Sequence, residues 1–178
     1  NEALRASLDA IAAELGEQSA ETLFAQAVLL ITPHAETGYY NAALDKLNEL
    51  SAEHSASQLA TAPRTILLHG EIYRRMGLLL NANQLYNQIM PSPESSEFVL
   101  AGTELSAQVA LARGLSSIGG DSLAFYERAV SDYAAYLDTE SYLATLEHVC
   151  GLIGDDCVEL SICQDSQIPC NEWSHDES

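Results

Sequence analysis

The chain has 178 residues, of which 47% are hydrophobic and 19% charged, a balance that suits one globular domain and excludes a disordered protein. Seven basic residues against 26 acidic ones give a formal net charge of −19. That charge excludes a protein that binds nucleic acid through a basic surface, and no stretch reaches the roughly 18 apolar residues of a membrane span. The negative net charge fits either a solvated acidic surface or a basic protein partner.

Apolar residues recur at helical spacing through the first half of the chain. A first helix is predicted over 2–15, and Gly16 then provides a left-handed C-terminal cap. Ser19 is a suitable N-cap for the second helix. A third helix is expected over 37–54, and Pro63 suits the first turn of a fourth helix.

The second half shows the same periodicity. A fifth helix is predicted to end at Met90. Ser92 followed by Pro93 predicts the start of a sixth helix, and Asp138 or Thr139 is expected to cap an eighth. No long segment alternates as a strand would, so the predicted fold class is all-α.

Small and aromatic residues lie at regular offsets in 64–93. They are Gly70, Tyr73, Gly77, Ala82 and Tyr86. This pattern resembles the tetratricopeptide repeat, a family with a small residue, an aromatic, a turn glycine, an alanine and an aromatic at these offsets. Two further segments resemble it less closely. The first contains Gly38, Tyr40, Ala43, Leu47 and Leu50, and the second contains Ala110, Ser122, Tyr126 and Ala129.

The resemblance implies antiparallel helix pairs stacked as a short right-handed superhelix, an α-solenoid of about three units. We expect this repeat domain to span 1–154, followed by a cysteine-containing extension over 155–178. The alternative is an unrelated helical bundle in which the glycine and alanine positions arise by chance.

In this family the first helix of each pair lines a concave groove that binds peptides or partner proteins. The resemblance implies groove positions at Leu67, Glu71, Arg74 and Arg75. Leu67 and Glu71 do not suit the carboxylate clamp that some members use for chaperone tails. Arg74 and Arg75 are candidates for contact with an acidic group of a ligand, the alternative being that they pair with acidic neighbours in the chain.

All four cysteines fall in the last 29 residues, at Cys150, Cys157, Cys163 and Cys170. No CxxC is present, so the even count favours two disulfides that pin the extension, with three pairings possible. Disulfides predict an extracytoplasmic location, such as a periplasm or cell envelope. Free thiols, or a zinc site that adds His148, are the alternatives.

The sequence lacks the HExxH, GxSxG, phosphate-loop and GxGxxG motifs, so we predict neither an enzyme nor a cofactor. The leading prediction is a scaffold or adaptor in cell-envelope assembly that binds another protein or peptide. An acidic inhibitor that imitates nucleic acid for a basic partner is the second hypothesis. A small metalloprotein built on the cysteine-rich extension is the third.

Overall fold

A computed structural model describes residues 2–31, 37–117, 122–164 and 168–173. The described residues form helices and contain no strand, which confirms the all-α prediction. The α-helices are α1 (Glu2–Leu15), α2 (Ala20–Leu30), α3 (Thr37–Glu53), α4 (Pro63–Arg75), α5 (Leu79–Ile89), α6 (Glu104–Ser116), α7 (Ser122–Tyr136), α8 (Thr139–Ile153) and α9 (Cys170–Trp173). Two 3₁₀ turns, Gly154–Glu159 and Ser161–Gln164, lie between α8 and α9.

The predicted helix starts follow from local capping. The Ser19 side chain accepts the backbone N–H of Thr22 at 3.2 Å, and Pro63 occupies the first turn of α4, where its missing N–H costs nothing. Asp138, one of the two predicted caps of α8, accepts the N–H of Ser141 at 2.8 Å. Each of these side chains satisfies or removes a backbone donor that the first helical turn leaves unpaired.

Gly77 ends α4 in the left-handed conformation, with φ of 76°. The N–H of Leu78 donates to the carbonyl of Tyr73 at 2.8 Å, and the N–H of Gly77 donates to that of Arg74 at 2.9 Å. These two bonds form a Schellman motif, which requires a residue that tolerates positive φ. The predicted turn glycine is therefore confirmed at this position.

The chain divides into two compact units, Asn1–Leu85 and Tyr86–Ser178. In the first unit α1 packs on α2, α2 on α3, and α3 on α4. His54 directly follows α3, and its Nε2 lies 2.7 Å from the carbonyl oxygen of Gln18, which precedes α2. The end of α3 is therefore close to the start of α2, so these two helices are antiparallel. The apolar faces of α2 and α3 meet in one core, which Leu59 and, from α4, Ile72 complete. Its buried residues are Ala20, Leu23, Ala27, Ile31, Ala43, Leu47, Leu50, Leu59 and Ile72.

In the second unit α6 and α7 form an antiparallel hairpin, and α7 packs on α8. Its core continues from α7 and α8 into the extension and contains Tyr126, Val130, Leu146, Val149, Cys150, Ile153, Cys157, Leu160 and Cys170. The domain boundary expected between 154 and 155 stays a prediction, but side chains from both of its sides share this core. The superhelix also stays a prediction, whereas the antiparallel pairs α2–α3 and α6–α7 are present.

The predicted start of the sixth helix at Ser92 is wrong, because α6 begins at Glu104 with Thr103 as its N-cap. Ser92 and Ser95 form a local turn instead: the Ser95 N–H donates to the Ser92 carbonyl at 3.1 Å, and Ser95 Oγ accepts the Ser92 N–H at 3.2 Å. Such serine-to-backbone bonds compete with helix formation.

Arg128 on α7 holds this non-helical segment in place. Its Nη1 donates to the carbonyl of Pro93, and its Nη2 donates to Ser106 Oγ at 2.9 Å. The side chain is nearly buried and pairs with Asp132, which also accepts the N–H of Gly102 at 2.6 Å. One ion pair therefore fixes both ends of the 93–102 segment on the α6–α7 hairpin.

Candidate partner-binding helix and cysteine cluster

The four residues predicted to contact a partner all lie on α4. Leu67, Glu71, Arg74 and Arg75 follow one another at spacings of four, three and one, which places them on one side of the helix. The structure brings Glu71, Arg74 and Arg75 into direct contact. Leu67 lies one turn nearer the helix start and is half-buried.

Glu71 is the centre of this group. Arg74 donates Nε–H to Glu71 Oε2 and Nη2–H to Glu71 Oε1, both at 2.8 Å, in a bidentate pair. Arg75 donates Nε–H to Glu71 Oε1 at the same distance. The alternative that these arginines pair with acidic neighbours is therefore realised, and a single carboxylate holds both guanidinium groups.

Arg75 also reaches beyond its own helix. Its Nη1 donates to the carbonyl of Ile31 at 3.0 Å, at the C-terminal cap of α2. The last carbonyls of a helix have no partner within it and carry partial negative charge, so a guanidinium is a favourable donor there. Arg75 thus ties α4 to α2.

The charge of Glu71 is stabilised by this arrangement. Burial by itself raises the pKa of Glu71, but the hydrogen bonds and positive charges of Arg74 and Arg75 outweigh burial and hold the pKa below its ordinary value. The carboxylate is therefore ionised at neutral pH and orients both arginines.

The group keeps access to solvent and carries a surplus of positive charge. The side chains of Glu71, Arg74 and Arg75 are 20%, 28% and 37% exposed. With Arg64, which lies over the ring of Phe24 at 5.5 Å, α4 holds three arginines against one carboxylate. Among the described helices, no other has more basic than acidic residues.

Beside this group His69 stacks on Tyr73, with ring centroids 5.1 Å apart and planes 18° apart. Burial lowers the pKa of His69, so the ring is neutral at neutral pH. Its buried Nε2 has no hydrogen-bond partner among the described residues. This stack was not predicted from the sequence, although the i, i+4 spacing of the two rings is a signal for it.

The two predicted disulfides are present, and the structure selects one of the three pairings. Cys150 is bonded to Cys157, and Cys163 to Cys170. Each bond joins residues seven apart, with Cα–Cα distances of 5.0 and 5.6 Å. The first bond pins the first 3₁₀ turn to α8, as expected, whereas the second joins the second 3₁₀ turn to α9 and does not involve α8. Such bonds persist in oxidising compartments.

The two disulfides lie side by side. Sγ of Cys157 is 3.8 Å from Sγ of Cys163, and all four sulfurs lie within 4.8 Å of one another. Three of the cysteines are buried and Cys163 is half-buried, with Val149, Leu160, Ile168 and Trp173 in the surrounding core. His148, the additional zinc ligand considered above, is exposed and lies outside this sulfur cluster.

Across the described residues, no helix combines the length and the apolarity that crossing a bilayer would require. No family model, no curated protein and no solved structure matches the chain.

Proposed function

We propose that this chain is a protein-binding scaffold or adaptor of the tetratricopeptide-like type, which binds a partner protein or peptide through α4. The observation that carries the proposal is the charge of α4. The helix has two more positive than negative charges, although the whole chain has a net charge of −19. It therefore attracts a carboxylate of a partner locally.

The ion pairs of α4 support this role. Glu71 fixes the direction of two guanidinium groups, so less side-chain entropy is lost when a partner binds than with free arginines. Half-buried Leu67, one turn away, provides an apolar contact beside the charged group. An acidic group next to an apolar residue is the peptide chemistry that suits this surface.

The disulfides support a location in an oxidising compartment, and we propose a periplasm or cell envelope. Envelope assembly requires proteins that bring other proteins together, and antiparallel helix pairs are common in such scaffolds. A non-enzymatic role belongs to the same proposal.

A displayed peptide library selected against the oxidised protein tests the proposal. We expect enriched peptides that pair Asp, Glu or a terminal carboxylate with an apolar residue. Their affinity should fall about 10-fold or more in the Arg74→Ala/Arg75→Ala double variant, the usual effect of losing a charge-assisted hydrogen bond. Leu67→Ala should weaken them less.

Lys46→Ala is the matched control, because it removes a positive charge from an ion pair on α3 in the same unit. It should leave peptide affinity unchanged. Peptides that bind the double variant and the parent equally, with circular dichroism showing both folded, would place binding away from α4.

The second candidate function is an acidic inhibitor that imitates nucleic acid. Four of the seven basic residues, Lys46, Arg74, Arg75 and Arg128, are paired with carboxylates of the chain itself. Most of the surface charge is therefore acidic. Polylysine binding that weakens steeply with salt and survives the α4 variants would favour this candidate over the scaffold.

A further inference from the structure

The four sulfurs converge from four separate elements. Cys150 lies on α8, Cys157 and Cys163 lie on the first and second 3₁₀ turns, and Cys170 lies on α9. Each element therefore provides one sulfur to a common centre, within 4.8 Å of the other three. Convergence of single side chains from several short elements is a common way to build a metal site.

One sulfur–sulfur separation between the two disulfides already matches that of a tetrathiolate centre. Zinc bonds thiolate sulfur at about 2.3 Å, so neighbouring sulfurs of a ZnS₄ tetrahedron lie about 3.8 Å apart. The sulfurs of Cys157 and Cys163, which belong to different disulfides, are already separated by 3.8 Å. Reduction of both bonds would let the paired sulfurs move apart toward the same spacing.

The surroundings also fit a closed structural site. Cys150, Cys157 and Cys170 are buried, and Leu160 and Trp173 contribute to the apolar core around them. In structural zinc sites the protein fills all four positions of the cation, and the metal contributes directly to folding. A reduced chain would otherwise lose both cross-links from this part of its core.

We propose that the reduced chain binds one thiophilic divalent cation of the Zn²⁺ type through Cys150, Cys157, Cys163 and Cys170. The metal then replaces the two disulfides as the cross-link of the extension. Each disulfide takes two electrons and two protons from a dithiol, which is itself oxidised to a disulfide. Cation binding releases the four thiol protons. The proposal is independent of partner binding by α4.

Titration of the reduced full chain with Co²⁺, without oxygen, tests the site. A phosphine reduces the disulfides and becomes a phosphine oxide with oxygen from water, and is then removed. We expect one Co²⁺ per chain, the intense visible bands of tetrahedral cobalt thiolate, and their loss when Zn²⁺ displaces the cobalt. The oxidised protein should give no such bands.

Two variants test the choice of ligands. Cys163→Ser removes the most accessible sulfur and should weaken binding by more than the roughly 100-fold that outer-shell changes cause. His148→Ala removes the nearby exposed imidazole and should bind as the parent does. Zn²⁺ should also raise the Tm of the reduced parent.

Several outcomes would overturn the proposal. These are an octahedral or thiolate-free cobalt spectrum, more than one strong site per chain, or equal affinity in Cys163→Ser. A reduced chain that loses its helical circular dichroism and does not recover it with Zn²⁺ would also overturn it, since the metal would then not replace the disulfides.

Discussion

The ring of Tyr126 on α7 occupies the space that a side chain at Gly114 on α6 would need. A Cβ added at Gly114 would lie 2.4 Å from Cε1 and 2.6 Å from Cδ1 of that ring. Tyr126 is itself buried in the core of the second unit, so it cannot move aside without displacing other residues. Gly114 therefore sets how closely α6 and α7 approach.

We expect Gly114→Ala to destabilise the protein. Overpacking a close contact costs about 1–3 kcal/mol, which exceeds the gain of up to about 1 kcal/mol from the better helix propensity of alanine. Gly151→Ala on α8 is the matched control, since its Cβ would meet no atom within 4 Å. Urea unfolding should show opposite signs for the two variants. A stabilised Gly114→Ala would show that the helices can separate at little cost.

Asp132→Ala should be among the single substitutions that lower the free energy of unfolding most. The side chains of Arg128 and Asp132 are only 12% and 4% exposed, so the change leaves a nearly buried guanidinium without its carboxylate. Loss of one partner from a buried pair costs about 3–5 kcal/mol. Urea unfolding measures this loss, and proteolysis of the 93–102 segment should also become faster.

Glu49→Ala is the control for the Asp132 change. It breaks the surface pair with Lys46 and should cost at most about 1 kcal/mol. If both variants lost the same stability, the Arg128–Asp132 pair would have no special role in fixing the segment.

The contribution of Glu71 should depend on pH in a defined direction. Its pKa is lower in the folded chain than the ordinary value of 4.5, so its stabilisation is complete above that value. It is lost as the pH falls through the lower folded pKa. Glu71→Gln should therefore cost about 1–3 kcal/mol at pH 7, the usual value of hydrogen bonds to a charged group, and less in acid.

Unfolding free energies of the parent and Glu71→Gln across this range measure the effect. Glu94→Gln, at an exposed position, controls for the change in net charge. A difference between the parent and Glu71→Gln that stays constant from neutral pH into acid would contradict the role assigned to the Glu71 carboxylate.

Cleavage after glutamate residues tests the disulfide pairing without reduction. Cleavage after Glu147, Glu159 and Glu172 releases the peptides 148–159 and 160–172. Each peptide holds one of the two disulfides of the structure. Mass spectrometry should find two unlinked peptides, each lighter than its reduced form by one pair of hydrogens. A single species containing both peptides would show one of the two other pairings.

Local signals explain what could be predicted from the sequence. Ser19 and Asp138 cap helices through hydrogen bonds to residues three positions away, and Gly77 ends α4 through its own backbone. Every partner in these motifs is close in the chain. The positions of Leu67, Glu71, Arg74 and Arg75 on one side of α4 follow from helical periodicity alone.

The remaining features depend on distant partners. Ser92 and Pro93 have the composition of a helix start, but Arg128, 35 residues away from Pro93, binds the segment in another conformation. The sequence permits three cysteine pairings, and the choice among them follows from how the 3₁₀ turns fold beside α8. Arg75 likewise contacts Ile31, 44 residues away, through a backbone carbonyl that has no sequence signature.

The short spacing of the disulfides has a mechanical consequence. Each bond spans seven residue steps, which would extend to about 24 Å, but it holds its two Cα atoms 5.0 or 5.6 Å apart. A chain pulled from both ends would therefore keep roughly 20 Å of contour length hidden behind each bond. Adding a reductant to the stretched molecule should release this length in two steps.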